Sequence, residues 1–519
     1  MKILSLLLAL ALPLAAEFHS HSVETQFVRM RDGVALATDV YRPAVDGKPA
    51  KGTYPVLVTR SPYNKAGERA RGEFFARQGY VFVAQDCRGF FASGGRFEPM
   101  VREGRDGYDT IEWAAAQPWS NGKVGTLGAS YLALVQYAAL IERPPHLKAV
   151  YAAVGPTNYW AQGAWRGGAP SGGWPVWILN AAVPRQSDPA RKKALEALVL
   201  DPREWMRQAP QQRMNTFRGL EDYGKAYRQQ YLHSRFDAFW REPGFWPEGY
   251  VAHMKDVPTL LVSGWYDPFA QATSNLFRAL LDSHSSQTRA ILGPWPHAYG
   301  KRDCGEATFP EAAQLEERAL QLGWFDEWLK GKASAGGSAL RYFVMGGGAG
   351  KDGERFHPGG EWRDASSWPP PGAGKRTFYL TDDGALSGEA PSKSGSLSYR
   401  FDPHDPTPVR GGRYRNGCIV NLDQGSVRAD TIHFASGPFT QDFVLAGDIQ
   451  LELTVSTSAR DADFVARLAD VWPDGYAMPV AEGLVRLSRR APDGRRERVE
   501  PGRSYRISIP LGPTALRVP

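Results

Sequence analysis

Short apolar runs of strand length, separated by longer segments of helical period, dominate the chain from Thr25 to about Val154. Pro55-Val56-Leu57-Val58-Thr59-Arg60 and Val81-Phe82-Val83-Ala84-Gln85 lack the polar alternation of a half-exposed strand. That predicts strands covered on both faces, as in a parallel sheet, with a helix between them. A helix from about Glu103 to Gln117 should stop at Pro118, which can neither donate its backbone hydrogen bond nor avoid the preceding carbonyl. The run Lys123-Val124-Gly125-Thr126-Leu127 breaks at Gly128 and restarts as a helix from Tyr131 to about Ile141, apolar nearly all round and ended before Pro144-Pro145. Such a helix is expected to be buried against the sheet. Ala149 to Val154 predicts one more central strand.

From Gly155 to about Tyr250 the pattern changes to Gly, Pro, Arg and seven tryptophans: Trp160, Trp165, Trp174, Trp177, Trp205, Trp240 and Trp246. This reads as a helical cap inserted over the carboxyl edge of the sheet, where pockets form in open α/β folds. Packing within the cap is the first role for each Trp, with a few left to face an apolar ligand. The sheet resumes at Thr259-Leu260-Leu261-Val262-Ser263-Gly264 and ends with Arg289-Ala290-Ile291-Leu292-Gly293, and a helix from Gln314 to Lys330 stops at Gly331. Beyond Leu340, the runs 341–344, 377–380, 449–455 and 505–509 lie between turns rich in Gly, Pro and Asp, which predicts a β-sandwich. The expected organisation is an α/β domain over 17–154 and 251–335, a cap over 155–250 and a sandwich over 336–519.

Ser130 stands in the turn between strand and helix. In an α/β-hydrolase sheet that turn is tight enough to require small neighbours and to lift the serine Oγ toward substrate. Gly128 meets the demand on the near side, whereas Leu132 stands where the common Gly-x-Ser-x-Gly pattern has its second glycine. Taken alone, the motif fits a serine N-cap equally well. The partners change that balance. Asp267 follows the strand ending at Gly264, and His297 follows the strand ending at Gly293. The chain order Ser, Asp, His, each after a strand, is that of a hydrolase triad. A neutral hydroxyl is a weak nucleophile, so His297 would take its proton and Asp267 would orient the imidazole.

Composition narrows the partners. The chain has 519 residues with 42% hydrophobic and 23% charged, an ordinary globular balance. Its formal charge of +7, without a long basic block, argues against nucleic acid. A basic start, the apolar run Ile3–Leu12 and small residues before a cut after Ala16 predict a signal peptide over 1–16, and so a secreted or periplasmic protein. No later run is long and apolar enough to span a membrane as a helix. The three cysteines (Cys87, Cys304, Cys418) allow one bridge and one free thiol, with the pairing open. His19 and His21 could hold a metal weakly, but without a ligand cluster no metal site is expected, nor a cofactor.

The ordered blocks Arg60-Ser61-Pro62-Tyr63, Gln85-Asp86-Cys87-Arg88-Gly89, 117–125, Gly128-Ala129-Ser130-Tyr131, Gly264-Trp265-Tyr266-Asp267 and Gly293-Pro294-Trp295-Pro296-His297 run through the first domain. Asp461-Ala462-Asp463-Phe464-Val465 and 470–475 follow in the second. Over most of its length the sequence resembles the cocaine esterase and X-prolyl dipeptidyl-peptidase-like acyl hydrolases, which include α-amino-acid ester hydrolases and glutaryl acylases. The resemblance implies an α/β-hydrolase domain with an inserted cap, followed by a jelly-roll sandwich. It implies Ser130, Asp267 and His297 as the triad, and an oxyanion hole of the Tyr63 phenol and the Tyr131 N–H. Phe269, Trp165 and Trp177 would line the acyl pocket.

Three departures from the family pattern matter. Ala133 stands where the family has Gly, a change expected to shift helix packing. Members selective for α-amino acyl groups carry acidic residues two and three places after the triad aspartate, where this chain has Phe269 and Ala270. An ammonium in a dry pocket needs a carboxylate partner, so such substrates are disfavoured. The family chain also normally continues past a segment like 511–514, so that either this sequence is shortened or its sandwich leaves an exposed edge. The expectation is a secreted serine hydrolase acting on small-molecule esters, less so amides, of an apolar acyl group through an acyl-enzyme. An X-prolyl or α-amino acyl hydrolase is one alternative. A non-catalytic glycan-binding protein on the same scaffold is another, since a fold does not guarantee its chemistry.

Overall fold

The computed structural model describes residues 17–333, 336–414, 418–422 and 428–518; the expected signal peptide lies outside the described residues. An antiparallel hairpin of β1 (Ser20–Arg29) and β2 (Ala35–Val45) flanks the parallel strands β3 (Tyr54–Ser61), β4 (Val81–Asp86), β5 (Ser120–Ala129), β6 (Leu147–Ala153), β7 (Thr259–Tyr266), β8 (Thr288–Pro296) and β9 (Leu340–Met345). Their order in the sheet is β1-β2-β4-β3-β5-β6-β7-β8-β9, with β2 antiparallel to β4. β4 and β7 are buried along their whole length, the burial expected of a parallel sheet covered on both faces. Helices α1 (Arg69–Arg77), α2 (Glu103–Ala115) and α3 (Tyr131–Glu142) connect the first parallel strands. α3 is buried from Tyr131 to Leu140 and ends on Arg143 in a left-handed conformation, just before the two prolines.

The cap packs α4 (Gly173–Ala182), α5 (Pro189–Leu200) and α6 (Glu221–Leu232) around an aromatic core of its own. Trp160, Trp165, Trp174, Trp205 and Trp240 lie in that core, whereas Trp177 and Trp246 are partly exposed. The sheet then resumes at β7. It is followed by α7 (Ala270–Ser283), then β8, then α8 (Glu317–Phe325), which runs on as a wider turn to Lys330 and closes on Gly331 at φ 70°.

Two strand expectations need correction. Residues 341–344, expected in the sandwich, form the centre of β9, and β9 pairs in parallel with β8 through Ala290↔Leu340, Ile291↔Arg341 and Leu292↔Tyr342. The α/β sheet therefore does not end at β8. The cause lies in packing, because Tyr342 to Met345 are buried in succession and so are covered on both faces, a position that composition alone does not separate from a sandwich interior. The run 377–380 shrinks to a two-residue strand, Tyr379–Leu380, in an exposed stretch.

The C-terminal β-sandwich contains β10 (Gly360–Ala365), β11 (Phe443–Val455), β12 (Asp463–Val471), β13 (Ala477–Arg486) and β14 (Tyr505–Val518). β11 pairs with β14 and β12 with β13, both antiparallel. β14 also bridges to β9 at Met345↔Leu516, so one hydrogen-bonded sheet passes from the α/β domain into the sandwich. Among the described residues no helix is long and apolar enough to cross a membrane.

The structure also settles the cysteine pairing. Cys304 and Cys418, both buried, form a disulfide with Cα atoms 5.2 Å apart at a sequence separation of 114, and Cys87 is a buried free thiol. The bridge ties the loop after His297 to the sandwich, and the Glu306 N–H reinforces it by donating to the Ile419 carbonyl at 2.7 Å. Closing a loop of that length restricts the unfolded chain by about 4–5 kcal/mol in the chain-entropy account. Cys418→Ser is therefore expected to lower the urea midpoint markedly. A thiol reductant should lower the wild-type midpoint toward the variant's and leave the variant unchanged.

Candidate active site

Ser130 joins β5 to α3 with φ 60° and ψ −120°, a conformation that costs a non-glycine residue about 1–3 kcal/mol. Its neighbours hold it there. The Ser130 N–H donates to the Ala153 carbonyl at 2.8 Å, and the Ser130 carbonyl accepts from the Ala133 and Leu134 N–H groups. A Cβ on Gly128 would stand 2.4 Å from the Leu132 Cβ, so the missing side chain at 128 makes room for the leucine that replaces the second glycine of the common motif. Ala133 is accommodated in a similar way, since a Cβ on Gly155 would lie 2.7 Å from the Ala133 Cβ.

Asp267 follows β7 and His297 follows β8, so both side chains arrive at the same carboxyl edge as Ser130. The imidazole Nε2 is 2.9 Å from the Ser130 Oγ, and Nδ1 is 2.8 Å from the Asp267 Oδ1. Asp267 is fully buried, and its second oxygen accepts from the Ser263 hydroxyl at 2.7 Å. With both oxygens occupied, the carboxylate is fixed and holds Nδ1 as the donor, which leaves Nε2 free to accept the serine proton.

Tyr63 follows β3 on the other side of Ser130. Its hydroxyl accepts from the Trp177 Nε1 at 3.2 Å and also interacts with the Ser130 hydroxyl. Tyr63 as a whole is 46% exposed, but loss of water around its hydroxyl pushes the phenol pKa above its ordinary value, so it remains a neutral donor. The Tyr131 N–H is at the first position of α3, where a helix offers it no carbonyl partner. The Tyr131 side chain is buried in a charged network beneath the site. Its hydroxyl donates to the Glu103 Oε1 at 2.8 Å and accepts from the Met100 N–H at 2.8 Å. Arg60 pairs with Glu103 at 2.8 Å, and Arg88 pairs with Asp106 at 2.6 Å. Although burial opposes its charge, the field of Glu103 and Asp106 keeps Arg60 protonated more firmly than a free guanidinium.

Of the expected pocket residues, Phe269 packs edge-on against the His297 ring with centroids 5.5 Å apart, and Trp177 stacks on Tyr131 at 5.4 Å. Trp165 departs from expectation. It is buried at the junction of cap and sandwich, with Nε1 donating to the Gln230 carbonyl at 3.0 Å and its ring covered by Arg489. Tyr159 and Arg166, which the sequence does not single out, interact electrostatically with residues of the site: Tyr159 with Tyr63, and Arg166 with Tyr159 and Asp267. No sequence signal marks either residue, because each depends on how the cap folds back. Among the described residues no group of three or more His, Cys, Asp or Glu side chains converges as metal ligands.

Residues 32–299 match the family described as X-Pro dipeptidyl-peptidase (S15 family), and 337–519 match its C-terminal non-catalytic domain. The chain belongs to this family. It is 31% identical over 527 residues to the cocaine esterase of Rhodococcus sp. (strain MB1 Bresler), covering 93% of this chain and 86% of that protein. Its fold is similar to that of an α-amino acid ester hydrolase (TM-score 0.75, 21% identity, 100% of this chain and 90% of the other). It is also similar to an aminopeptidase from the archaeon Thaumarchaeota archaeon (TM-score 0.77, 22% identity, 98% and 88%). The protein is thus a serine hydrolase, which sets aside the reading as a non-catalytic glycan-binding scaffold.

The tight contact at the serine turn yields a first test of the site. Gly128→Ala is expected to destabilise the fold by about 1–3 kcal/mol, the usual range for forced overpacking, and to lower esterase activity with it. Denaturant titration alongside a chromogenic ester assay checks both effects.

Proposed function

We propose that this protein is an exported carboxylic ester hydrolase that works through an acyl-enzyme on Ser130. The reading rests on the hydrogen-bonded run from Asp267 through His297 to the Ser130 Oγ. The Ser130 Oγ attacks the acyl carbon as its proton passes to His297 Nε2, and Asp267 stabilises the imidazolium that results. The carbonyl oxygen becomes an oxyanion and takes hydrogen bonds from the Tyr63 phenol and the Tyr131 N–H. His297 then gives its proton to the departing alkoxide, leaving Ser130 acylated. Water, deprotonated by the same imidazole, attacks the acyl carbon, and the imidazolium returns that proton to the Ser130 Oγ as the acid departs.

An apolar acyl group is supported by Phe269 against His297 and by the aromatic surface of Trp177 and Tyr131. An α-amino acyl or X-prolyl substrate is not favoured, because its ammonium would need a carboxylate where Phe269 and Ala270 stand, and the charged neighbour of Tyr159 is the cation Arg166. Export is supported by the Cys304–Cys418 disulfide, a bond that persists in oxidising compartments.

Fluorophosphonate labelling tests the nucleophile. Wild type is expected to label and Ser130→Ala not to label while keeping its circular dichroism spectrum; equal labelling would remove Ser130 from the role. Tyr63→Phe is expected to lower kcat on a 4-nitrophenyl ester by about 10²–10³ with a smaller change in KM, as loss of one oxyanion donor does. Steady-state kinetics reads this, and an unchanged kcat would place the oxyanion elsewhere.

A further inference from the structure

The chemistry above needs the Tyr63 phenol proton to point at the developing oxyanion, and the backbone of Tyr63 does not set that direction. Its N–H donates to the Ser61 Oγ at 3.0 Å, which fixes the turn after β3. The side chain reaches outward from there, and the residue is 46% exposed. A hydroxyl proton turns about its C–O bond to suit the nearest acceptor. In so open a setting that acceptor is as easily water as a substrate oxygen.

Trp177 removes this freedom. It projects from the cap helix α4, and its Nε1 lies 3.2 Å from the Tyr63 hydroxyl. An indole nitrogen can donate but cannot accept, so the hydrogen bond has a single direction: Trp177 gives and the phenol oxygen receives. The phenol proton is therefore turned away from the cap, toward the Ser130 hydroxyl with which Tyr63 also interacts. A hydroxyl that already accepts one hydrogen bond is polarised and donates the next one more strongly.

The indole is itself held in place. Its ring stacks on Tyr131 with 9° between the planes and centroids 5.4 Å apart, and Phe97 stacks on it at 6.3 Å. Phe90 and Trp174, at 6.3 and 6.1 Å, enclose it further. The cap is fastened to the α/β domain close by. Tyr223 of α6 stacks on Phe97 at 4.0 Å, and the Arg185 guanidinium donates to the Gly89 carbonyl at 2.7 Å. One side chain thus touches both residues of the oxyanion hole, the phenol of Tyr63 through its N–H and the ring of Tyr131 through its face.

We propose that Trp177 is a positioning residue of the oxyanion hole, which sets the direction of the Tyr63 phenol proton through its indole N–H, so that the cap helps to build the catalytic site. The proposal rests on the ester-hydrolase reading and on Tyr63 as an oxyanion donor. It differs from a pocket-wall role, because a wall needs only the ring.

Trp177→Phe keeps a ring in the stack and removes the donor. Together with wild type, Tyr63→Phe and the double variant it forms a double-mutant cycle, read on kcat for a 4-nitrophenyl ester. In the wild-type background Trp177→Phe is expected to lower kcat about 2- to 12-fold, the effect of one neutral hydrogen bond, with little change in KM. In the Tyr63→Phe background it should change kcat by less than about 2-fold, since the group it acts on is gone. An equal loss in both backgrounds would overturn the proposal, because it marks a wall or a structural contact that works without the phenol. An unchanged kcat in Trp177→Phe would overturn it too, while a loss in Tyr63→Phe leaves the oxyanion assignment standing. Unchanged kcat in Tyr63→Phe would sink that assignment and this proposal together, and a wild type inert toward activated esters would sink the ester reading beneath both. Should Trp177→Phe lose its circular dichroism spectrum, Trp177→Met, whose flexible chain fills irregular space, carries the same cycle.

Discussion

A serine held at φ 60° between a buried strand and a helix buried on every side is the constraint on which the site depends. The conformation is unfavourable in isolation and persists because its surroundings over-determine it. The Ser130 N–H is tied to Ala153 on the neighbouring strand, its carbonyl starts α3, and Gly128 and Gly155 leave room for Leu132 and Ala133. Burial of α3 along nearly its whole length offsets the local strain and directs the hydroxyl at the carboxyl edge of the sheet, where β7 and β8 deliver Asp267 and His297.

Beneath this turn lies a cluster of buried charge. Arg60, Glu103, Asp106 and Arg88 are each at most slightly exposed, and burying such groups is rarely a net source of stability even when they are paired. Here the cluster has a geometric consequence. Glu103 and the Met100 N–H lock the Tyr131 phenol, and Tyr131 is the residue whose backbone N–H opens α3 beside Ser130. Removing one member would leave a buried charge uncompensated directly under the oxyanion position, so the network is best understood as fixing a backbone direction.

The sandwich is part of the site's architecture, more than an appended module. It shares a sheet with the α/β domain through Met345 and Leu516, and it is tied by a disulfide to the loop carrying His297. Its Pro479 carbonyl accepts from the Tyr266 hydroxyl at 2.8 Å, one residue before Asp267. Its loop supplies Tyr414, which lies under Arg166. Positions of the Asp and His loops, and of the cap hairpin carrying Arg166, thus depend on contacts from a domain whose family description is non-catalytic.

Much of this was legible in the chain itself. Parallel strands covered on both faces read as uninterrupted apolar runs, and Ser130, Asp267 and His297 each follow such a run, so their order and setting could be read without coordinates. Gly128 signalled the tight turn for the same local reason. What stayed illegible depended on pairing over long separations. Whether 340–345 joined the α/β sheet, which two of three cysteines met, that Trp165 was spent on packing, and that Arg166 came to lie over Tyr414 were all decided by surfaces far apart in sequence. Periodicity and turn chemistry act over a few residues and so determine elements and the ends of strands. Which side chains then face one another is set by how cap, sheet and sandwich close on each other, and only the tertiary structure decides that.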